Sequence, residues 1–535
     1  MPRLHVTMED GEDRLIPFES GRCVREILDT GDIGVRSDCG GNGICGQCLV
    51  CIERGAVNDP TVNEQRNLPA GRFHRGIRLA CQVRPLQDVR ITIENPAPPL
   101  NWRPLCGDEY TPLVCTRTIG PATLPEGAAY GAAVDLGTTQ IRLTLWDMEK
   151  GRRLSGRSGL NPQARYGADV LTRLTAASES GKRADDISRL AKDAIGKALG
   201  DICSRESLVT SKIGNLVIVG NTAMIALLTG KNHHALLQPD YWTRQIDCRP
   251  EDTKPWRIDW GIAPGACVDF VQPLAGFVGS DLLAGVLAVQ LIEGPSAALL
   301  IDFGTNSEIA LWDGQVLWIT STAAGPAFEG WGIGCGMPAQ PGAIHRVEPE
   351  GAGPGFNFDV IGQGQAKGLC GSGLVDIVAC LLKGGILKKN GMFANHIRNR
   401  GLIHIDEGHR IVLKKRDVDI IQRAKAAIGA GTKCLMDKAG MGLDDLKRVC
   451  ICGAFGRFLN IANAQDIGLV PGVSIRKVER FGNAALAGCE FLLFSRDREK
   501  ALLALKKRSK LLNLSKISEF EKLFIENLFL QPMEI

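Results

Sequence analysis

The stretch Cys39-Gly-Gly-Asn-Gly-Ile-Cys45-Gly-Gln-Cys48, followed by a further cysteine in Leu79-Ala-Cys81-Gln82, decides the fold of the N-terminal region. Cysteine thiolates are the usual ligands of iron–sulfur clusters. A loop that wraps several anionic sulfurs around iron needs backbone N–H groups that point inward, and the intervening glycines permit the positive φ angles that this requires. The cysteines predicted as metal ligands are Cys39, Cys45, Cys48 and Cys81. A chain with such a loop is expected to move electrons.

The spacing of these cysteines favours a [2Fe–2S] cluster. The first gap is five residues, one more than in the plant-type pattern, and it resembles the [2Fe–2S] ferredoxins of vertebrates and bacteria that serve hydroxylases. A [4Fe–4S] motif through Cys51 would need a cysteine followed by proline where Gly55 and Ala56 stand. A zinc ribbon would need a second C-x2-C pair. Zinc and purely structural cysteines stay open as alternatives, and Cys23 and Cys51 are expected to be ordinary buried thiols.

The composition limits the class of protein. A chain of 535 residues is long enough for three or four domains. Its net charge of +4 is nearly neutral for that length, so no nucleic-acid partner is expected. The 18 cysteines and the polar N-terminus predict a reducing cytoplasmic setting. The longest apolar run, near Leu282–Ile292, is too short to span a bilayer, so no membrane partner is expected either.

Shifts in composition predict the domain boundaries. Residues 1–95 form a β-rich ferredoxin domain that ends in the alternating strand Val89–Ile93. Seven prolines between Asn95 and Gly127 predict a linker over residues 96–128, which either lets the ferredoxin domain move or packs rigidly on the surface. The later domains are expected to be a first lobe over 129–295, a second lobe over 296–495 and an amphipathic, basic C-terminal helix over 496–535.

An internal repeat supports the two lobes. The segments Ala133-Val-Asp135-Leu-Gly137-Thr138-Thr139 and Leu300-Ile-Asp302-Phe-Gly304-Thr305-Asn306 share an apolar strand that runs into an acidic residue, a glycine and a hydroxyl. Each continues into a strand that ends in Leu-Trp-Asp. Later apolar strands end in Gly220-Asn221-Thr222 and Gly453-Ala454-Phe455-Gly456, at matching places of the two copies. Such a repeat predicts two similar α/β lobes with a cleft between them.

A strand followed by Asp-x-Gly-Thr is suited to phosphate binding. The glycine lets the backbone approach oxyanions, the hydroxyl and N–H groups donate hydrogen bonds, and the aspartate holds Mg²⁺, usually through water. Two such hairpins resemble the superfamily of acetate and sugar kinases, heat-shock 70 proteins and actin, whose hairpins face each other across ATP. That resemblance implies a multidomain α/β fold in which a β-grasp ferredoxin domain precedes a two-lobed, actin-like (RNase H-like) domain. Hairpins that have lost the nucleotide are the alternative.

The same resemblance implies the roles of individual residues. Asp135 and Asp302 would be the catalytic, magnesium-holding aspartates. The residues that would bind phosphate are Gly137, Thr138 and Thr139 in the first hairpin and Gly304, Thr305 and Asn306 in the second. The residues that would cradle adenosine are Gly371, Ser372, Gly373, Gly453 and Gly456. Glu308 either assists the metal or a water molecule, or is an exposed strand residue.

A [2Fe–2S] ferredoxin domain joined to an ATPase-like fold resembles the reductive activators of corrinoid-dependent enzymes, which occur in anaerobic methyl-transfer and O-demethylation systems. The resemblance covers nearly the whole chain, and its further motifs are Asn161-Pro-Gln-Ala-Arg-Tyr-Gly-Ala-Asp169-Val, Gly220-Asn-Thr-Ala-Met224, Pro326–Met337 and Ala366–Asp376. No cysteine follows Cys489, so the chain resembles the branch with an N-terminal [2Fe–2S] cluster rather than the members with C-terminal [4Fe–4S] clusters.

This second resemblance implies the overall activity. The chain would use ATP to deliver one low-potential electron to an inactive Co(II) corrinoid protein and so regenerate Co(I). Its partners would be that corrinoid protein and an upstream low-potential reductant or ferredoxin, and a homodimer is expected because activators of this class tend to dimerise. Two alternatives stay open: a small-molecule kinase with a structural cluster, for which no base or acceptor pocket can be identified, and a non-catalytic redox sensor.

Overall fold

The chain forms two compact units. The computed structural model describes residues 1–8, 12–31, 33–97, 102–105, 124–330, 332–350, 355–362, 364–394, 401–406, 408, 410–453 and 455–533. The first unit comprises Met1–Trp102, Thr138–Gln140 and Gly159–Ala194, and the second comprises Arg103–Gly137, Ile141–Ser158 and Ile195–Ile535. Most of the linker predicted over residues 96–128 lies outside the described residues, and the prediction is not tested there.

Strands and helices alternate along the chain. The described strands are β1 (Arg3–Thr7), β2 (Asp13–Pro17), β3 (Leu49–Arg54), β4 (Ile77–Leu79), β5 (Val89–Ile93), β6 (Arg103–Pro104), β7 (Tyr130–Leu136), β8 (Gln140–Asp147), β9 (Arg152–Leu160), β10 (Ile213–Gly220), β11 (Cys267–Phe270), β12 (Ala298–Phe303), β13 (Ser307–Trp312), β14 (Leu317–Thr322), β15 (Ala343–Pro349), β16 (Phe356–Val360), β17 (Gly368–Leu369), β18 (Leu402–His404), β19 (Val412–Lys414), β20 (Arg448–Cys452), β21 (Val478–Arg480) and β22 (Ser509–Leu511). The described helices are α1 (Val24–Thr30), α2 (Val62–Asn67), α3 (Ala70–Phe73), α4 (Val170–Glu179), α5 (Gly181–Arg205), α6 (Thr222–Thr229), α7 (Lys254–Trp260), α8 (Ser280–Ala288), α9 (Gly371–Lys383), α10 (Lys415–Ala439), α11 (Ile461–Asp466), α12 (Ala484–Phe494), α13 (Arg498–Arg508) and α14 (Phe520–Glu526). In this described part of the chain, no helix combines the length and the apolar character that crossing a membrane requires.

The N-terminal domain is a mixed five-stranded sheet with the order β2-β1-β5-β3-β4. β1 and β5 run in parallel, and the other neighbours are antiparallel. α1 packs its apolar face onto this sheet through Val24, Ile27 and Leu28, all fully buried. Cys23 is the N-cap of this helix, and its backbone N–H donates to the Glu26 carboxylate at 2.9 Å, which satisfies a donor at the start of the helix.

The two lobes repeat one topology. The first sheet has the order β11-β10-β7-β8-β9-β6, and the second has the order β21-β20-β12-β13-β14-β22. In both, the strand that carries the aspartate pairs antiparallel with the next strand and parallel with the strand that ends in the later glycine. The parallel strands β7, β10, β12 and β20 are predominantly apolar and almost wholly buried, as strands covered on both faces are.

Two helices of small residues pack between the sheets of the second unit. α8 contributes Leu282 to the core of the second sheet and Ala284 to the core of the first, and α12 contributes Ala484 and Leu486 in the same way. The helices cross so closely that a Cβ at Gly488 would overlap the Ala284 backbone. A side chain at this crossing would therefore force the helices apart.

The tail over residues 496–535 differs from the single helix expected there. It forms α13, the short strand β22 and α14. β22 pairs in parallel with β14. The basic run is used in packing within the chain, because the guanidinium of Arg508 lies 5.9 Å from the Trp312 ring and the ammonium of Lys510 lies 5.0 Å from the Trp318 ring. Strand pairing and these cation–π contacts override the helical pattern.

Candidate functional site

The cysteine loop has the geometry that its glycines predict. Gly40, Gly41, Gly43 and Gly46 all have positive φ angles, between 62° and 103°. The thiol of Cys45 donates to the Cys39 sulfur, and with backbone N–H groups of the loop it lowers the pKa of Cys39 to about 4 in spite of burial. The loop therefore favours a thiolate at Cys39, which is the form that binds metal.

The four predicted cysteines form two pairs. Cys39 and Cys45 share a hydrogen bond, and the sulfurs of Cys48 and Cys81 lie 3.4 Å apart. No group of three or more histidine, cysteine, aspartate or glutamate side chains in the described ranges is arranged to hold one metal ion. Two thiolates for each of two irons is the ligand set of a [2Fe–2S] cluster, whereas zinc takes four ligands on one ion. The two pairs of cysteines that the structure places therefore match the ligand set of a two-iron cluster.

A buried ion pair that sequence analysis missed anchors the strand before Cys81. Glu64 of α2 is fully buried, and it accepts two hydrogen bonds from the Arg78 guanidinium, at 2.8 Å and 2.9 Å. Glu64 also accepts from the backbone N–H of Leu79 at 3.0 Å. Its pKa is lowered, because these donors outweigh the effect of burial. Nothing in the spacing of residues 64 and 78 signals this pairing, which becomes visible only once β4 is placed.

The second unit carries the two predicted aspartates at equivalent strand ends. Asp135 on β7 faces Arg142 on β8, and Arg142 Nη1 lies 3.9 Å from Asp135 Oδ2. The amide of Asn483 also donates to Asp135 Oδ2. Asp302 on β12 faces Glu308 on β13 instead. Glu308 is buried, so the alternative of an exposed strand residue is wrong.

Asp281, the second residue of α8, completes a group of four mutually repelling carboxylates. Burial and then the charge of Asp135 raise the pKa of Asp302 to about 7. The pKa of Asp281 is likewise raised to about 7, chiefly by burial and further by Asp135 and Asp302. The pKa of Glu308 is raised well above its usual range, again chiefly by burial and further by Asp281 and Asp302. A cation would lower the repulsion within this group.

These carboxylates fit the way in which proteins hold magnesium next to phosphate. Mg²⁺ usually keeps several waters and binds through one or two carboxylates together with phosphate oxygens. The four carboxylates do not converge on one point as a closed set of ligands in the part of the chain that the structure describes. That Asp135 and Asp302 hold a hydrated ion stays a prediction, and sequence analysis missed Asp281 because Gly279-Ser-Asp281-Leu matches no phosphate motif.

The hairpin turns lie where the repeat predicts them. Residues 137–139 separate β7 from β8, and residues 304–306 separate β12 from β13. Thr138 and Thr305 are buried. The Thr305 hydroxyl donates to Glu329 Oε2 at 2.9 Å, so a phosphate oxygen would compete with that carboxylate for it. Phosphate binding by these residues, and by Asn306, stays a prediction.

Two of the residues predicted to cradle adenosine, Gly371 and Gly453, lie beside a group of three aromatic residues. Phe303 follows Asp302, Phe455 follows the turn that starts at Gly453, and the two rings meet edge to face with centroids 5.3 Å apart. Phe328 stacks on Phe455 at 5.0 Å. A Cβ at Gly371 would overlap the Phe328 carbonyl and come within 2.5 Å of the Phe455 ring.

The glycines of this region have packing roles of their own. Gly371, Ser372 and Gly373 form the buried first turn of α9, and the Ser372 hydroxyl lies 3.3 Å from the Cys370 sulfur. Gly456 packs against Ile451, since a Cβ there would come within 2.7 Å of its side chain. Close packing therefore accounts for these glycines, and adenosine binding there stays a prediction.

Comparison with known protein families gives three consecutive matches. Residues 7–86 match the 2Fe-2S iron–sulfur cluster binding domain. Residues 130–293 match the RACo middle region, and residues 296–535 match the C-terminal domain of RACo, the ASKHA domain. The predicted order of a ferredoxin domain followed by an actin-like domain is confirmed by these matches.

Two individual proteins also match most of the chain. The chain is 33% identical over 401 residues to the corrinoid activation enzyme RamQ of Eubacterium limosum, covering 70% of this chain and 66% of RamQ. It is 27% identical over 411 residues to the [Co(II) methylated amine-specific corrinoid protein] reductase of Methanosarcina barkeri, covering 71% of this chain and 72% of the reductase.

One solved structure shares the fold over its whole length. It is described as a reductive activator for corrinoid, iron–sulfur protein, and it covers 99% of both chains with a TM-score of 0.68 and 24% identity. At that identity the likeness establishes the fold alone. The three domain matches and the relative at 33% identity show that the chain belongs to the RACo family of reductive activators of corrinoid-dependent enzymes.

Proposed function

We propose that this chain is an ATP-hydrolysing activator that returns the cobalt of a corrinoid protein from Co(II) to Co(I). The observation that carries the proposal is that one chain combines two pairs of cysteines with two Asp-x-Gly-Thr hairpins, in which Asp135 is buried and Asp302 is partly buried. The names of two relatives, a corrinoid activation enzyme and a Co(II) corrinoid protein reductase, support the choice of substrate.

The cysteine loop would hold the electron-transfer centre. Its ligands would be Cys39, Cys45, Cys48 and Cys81, and a [2Fe–2S] cluster bound there supplies a one-electron donor. The chain's own contribution is to orient and shield that donor. The N–H groups of the loop offset the negative charge of the sulfurs, and the Glu64–Arg78 ion pair fixes the strand that leads to Cys81.

The two hairpins would bind Mg–ATP. Asp135 and Asp302 would hold the hydrated ion, whose charge neutralises the phosphates. The remaining residues of the two turns and of the aromatic-lined region would bind phosphate and adenosine as the family resemblance implies. In the nucleotide-free site, the carboxylates of Asp281, Asp302 and Glu308 are shielded from water and repel one another. A cation that binds there together with phosphate would relieve this repulsion.

ATP is needed because the electron transfer is uphill. Ordinary [2Fe–2S] donors lie near −400 mV or higher, and Co(I) demands a lower potential. A gap of ~200 mV costs roughly 5 kcal/mol for one electron. Nucleotide binding can offset this only if it stabilises one state of the complex with the corrinoid protein more than another. Differential binding of the partner in the nucleotide-bound and nucleotide-free states is therefore the coupling mechanism that we propose.

The experiment that tests this function follows cobalt directly. The anaerobic protein is mixed with a Co(II) corrinoid protein and an excess of dithionite, with and without Mg–ATP, and the optical spectrum of the cobalt is recorded. We expect Co(I) to accumulate only with Mg–ATP, and not in Cys39→Ser or Asp302→Asn variants. The matched controls are Cys267→Ser, an exposed thiol, and Asp240→Asn, an exposed carboxylate. Equal rates with and without ATP would overturn the proposal.

Further features of this function are also proposed. An upstream low-potential reductant or ferredoxin would reload the centre, and activators of this kind would work in a reducing cytoplasm, where free thiols persist. A homodimer stays a prediction, for which the molar mass in solution is the measurement.

A further inference from the structure

A segment of the first unit, residues 161–173, contacts the cysteine loop. Sequence analysis singled out Asn161–Asp169 without assigning it a role. The Ala168 backbone N–H donates to the Asp38 carbonyl, next to Cys39, at 3.0 Å. Gly40 lies so close that a Cβ there would be 2.5 Å from the Tyr166 carbonyl and 2.9 Å from Thr172 Cγ2. The cluster-binding loop and this segment are thus in direct backbone contact.

Charged groups of α1 strengthen the contact. Arg25 is only 7% exposed, and its guanidinium donates to the Arg165 carbonyl while Gly41 of the cysteine loop packs against the same guanidinium. One turn further along α1, Asp29 Oδ1 lies 3.2 Å from Arg165 Nε. Because a buried guanidinium that loses its acceptor is costly, Arg25 favours the docked arrangement.

The other end of the segment is bonded to the turn of the first phosphate hairpin. The Asn161 backbone N–H donates to the Thr139 carbonyl at 2.9 Å. Thr139 belongs to the turn that the Asp-x-Gly-Thr motif predicts to bind phosphate. One short stretch of chain therefore connects the predicted phosphate turn with the residue that precedes the first cluster cysteine.

The segment is internally rigid, as a mechanical connection must be. Asn161 Oδ1 accepts from the Gln163 N–H at 3.0 Å, and a 3₁₀ turn follows over Pro162–Tyr166. Asp169 then caps α4 by accepting from the Thr172 N–H at 2.9 Å and from its hydroxyl at 2.6 Å. The Arg173 guanidinium donates to the Gly167 carbonyl at 2.7 Å, which closes the loop between turn and helix.

We propose that residues 161–173 form a brace that couples occupancy of the first phosphate turn to the position of the cluster loop. The proposal rests on the proposed function, since the ligand that moves the turn is a magnesium nucleoside triphosphate. A phosphate that draws in the Thr138–Thr139 turn displaces Asn161, and the rigid brace passes this movement to Ala168 and Arg165. Coupling between two sites is reciprocal. Breaking the contact at the cluster loop must therefore also change the affinity for the nucleotide.

The test uses the Arg165–Asp29 ion pair, because both side chains are about a quarter exposed and tolerate replacement. The variants are Arg165→Asp, Asp29→Arg and the double charge swap. The control is Arg189→Asp, which removes an exposed ion pair with Asp186 in the same unit. Iron content is measured first for every protein, so that all comparisons use cluster-loaded protein.

Hydrogen exchange of the Ala168 amide and of residues 40–43 is measured with and without a non-hydrolysable Mg–ATP analogue. The dissociation constant of this analogue is determined by calorimetry. In the parent and in Arg189→Asp, we expect the analogue to change exchange severalfold. In each single variant, hydrogen exchange should be faster than in the parent and should not change when the analogue is added. The dissociation constant of the analogue should shift about fivefold. The double swap should restore both. Single variants that respond like the parent would overturn the brace.

The readout separates this proposal from the proposed function because it needs no corrinoid protein. An analogue that binds the parent without changing exchange at Ala168 would overturn the brace and leave ATP-dependent cobalt reduction untouched. An exchange response in a protein whose cobalt reduction ignores ATP would support the brace and overturn the proposed function.

Discussion

The two hairpins occupy the same place in two copies of one topology, yet they treat their aspartates differently. Asp135 faces Arg142 and accepts from Asn483, and both partners lower its pKa against the larger, raising effect of burial. Asp302 faces Glu308, so the second hairpin sets a partly buried carboxylate against a buried one. The duplicated fold thus supplies one aspartate with a cationic and an amide partner and one that faces a second carboxylate, although the charge of Arg142 also lowers the pKa of Asp302. We infer that the second depends on a cation from outside the chain and dominates the response to Mg²⁺.

The largest effect is expected from removing the two aspartate charges separately. Asp302→Asn should lower ATP-dependent cobalt reduction by about 10²-fold or more, because the site loses a charge that the cation needs. Asp135→Asn should have a smaller effect, since Arg142 already offsets that charge. The measurement is the initial rate of Co(I) formation at saturating Mg–ATP. If Asp135→Asn is the more damaging variant, the proposed asymmetry is reversed.

A second prediction compares the glycine that ends β10 with the glycine that follows β20. A Cβ at Gly220 would overlap the Leu136 carbonyl at 2.6 Å and a Cβ at Gly453 would overlap the Phe303 carbonyl, but only Gly453 also has a positive φ, of +91°. Gly453→Ala should cost about 3 kcal/mol of unfolding free energy, because steric overlap adds to backbone strain, whereas Gly220→Ala should cost about 1–2 kcal/mol. Denaturant unfolding of the two variants measures the difference. Equal losses would show that strain at Gly453 contributes nothing.

The third prediction concerns pH. The folded-state pKa of Asp302 is raised from 3.8 to about 7, so the nucleotide-free protein binds more protons than the unfolded chain within that interval. Its stability therefore falls as pH rises through the interval. Asp302→Asn removes this contribution and should stabilise the nucleotide-free protein at pH 8 relative to pH 5 by on the order of 2 kcal/mol.

Unfolding midpoints at the two pH values, for Asp302→Asn and for the exposed control Asp240→Asn, measure this effect. The same pH dependence should weaken in the parent protein when Mg²⁺ is present, because the ion stabilises the ionised carboxylates. A parent protein whose stability rises steadily from pH 5 to pH 8 relative to Asp302→Asn would contradict the raised pKa.

The smallest effects are expected from the residues that face the aspartates, and they should have opposite signs. Arg142→Gln should destabilise the nucleotide-free protein and Glu308→Gln should stabilise it, each by about 1 kcal/mol, because opposite charges across a strand pair attract and like charges repel. Thermal unfolding at one fixed pH well above 7, where the carboxylates are ionised, tests both. Shifts in the same direction would mean that the two hairpins do not differ as described.

The sequence predicted those features of the molecule that depend on residues close to one another in the chain. The cysteine spacing and the glycines between Cys39 and Cys48 predicted a loop of positive φ angles, and the repeat of Asp135 and Asp302 predicted two similar α/β lobes, whose sheets share one strand order. Long-range pairing could not be predicted in this way. Asp281 joins the acidic group only because α8 packs between the sheets, and Glu64 finds Arg78 only when α2 is laid against β4.

The tail strand β22 has a consequence for how the protein can be shortened. It pairs with β14, which would otherwise end the second sheet with a row of unpaired N–H and C=O groups. A chain cut after residue 495 would expose that row and offer it to a neighbouring molecule. The cut would leave every cysteine and hairpin residue in place, and its expected result is self-association rather than a smaller active enzyme.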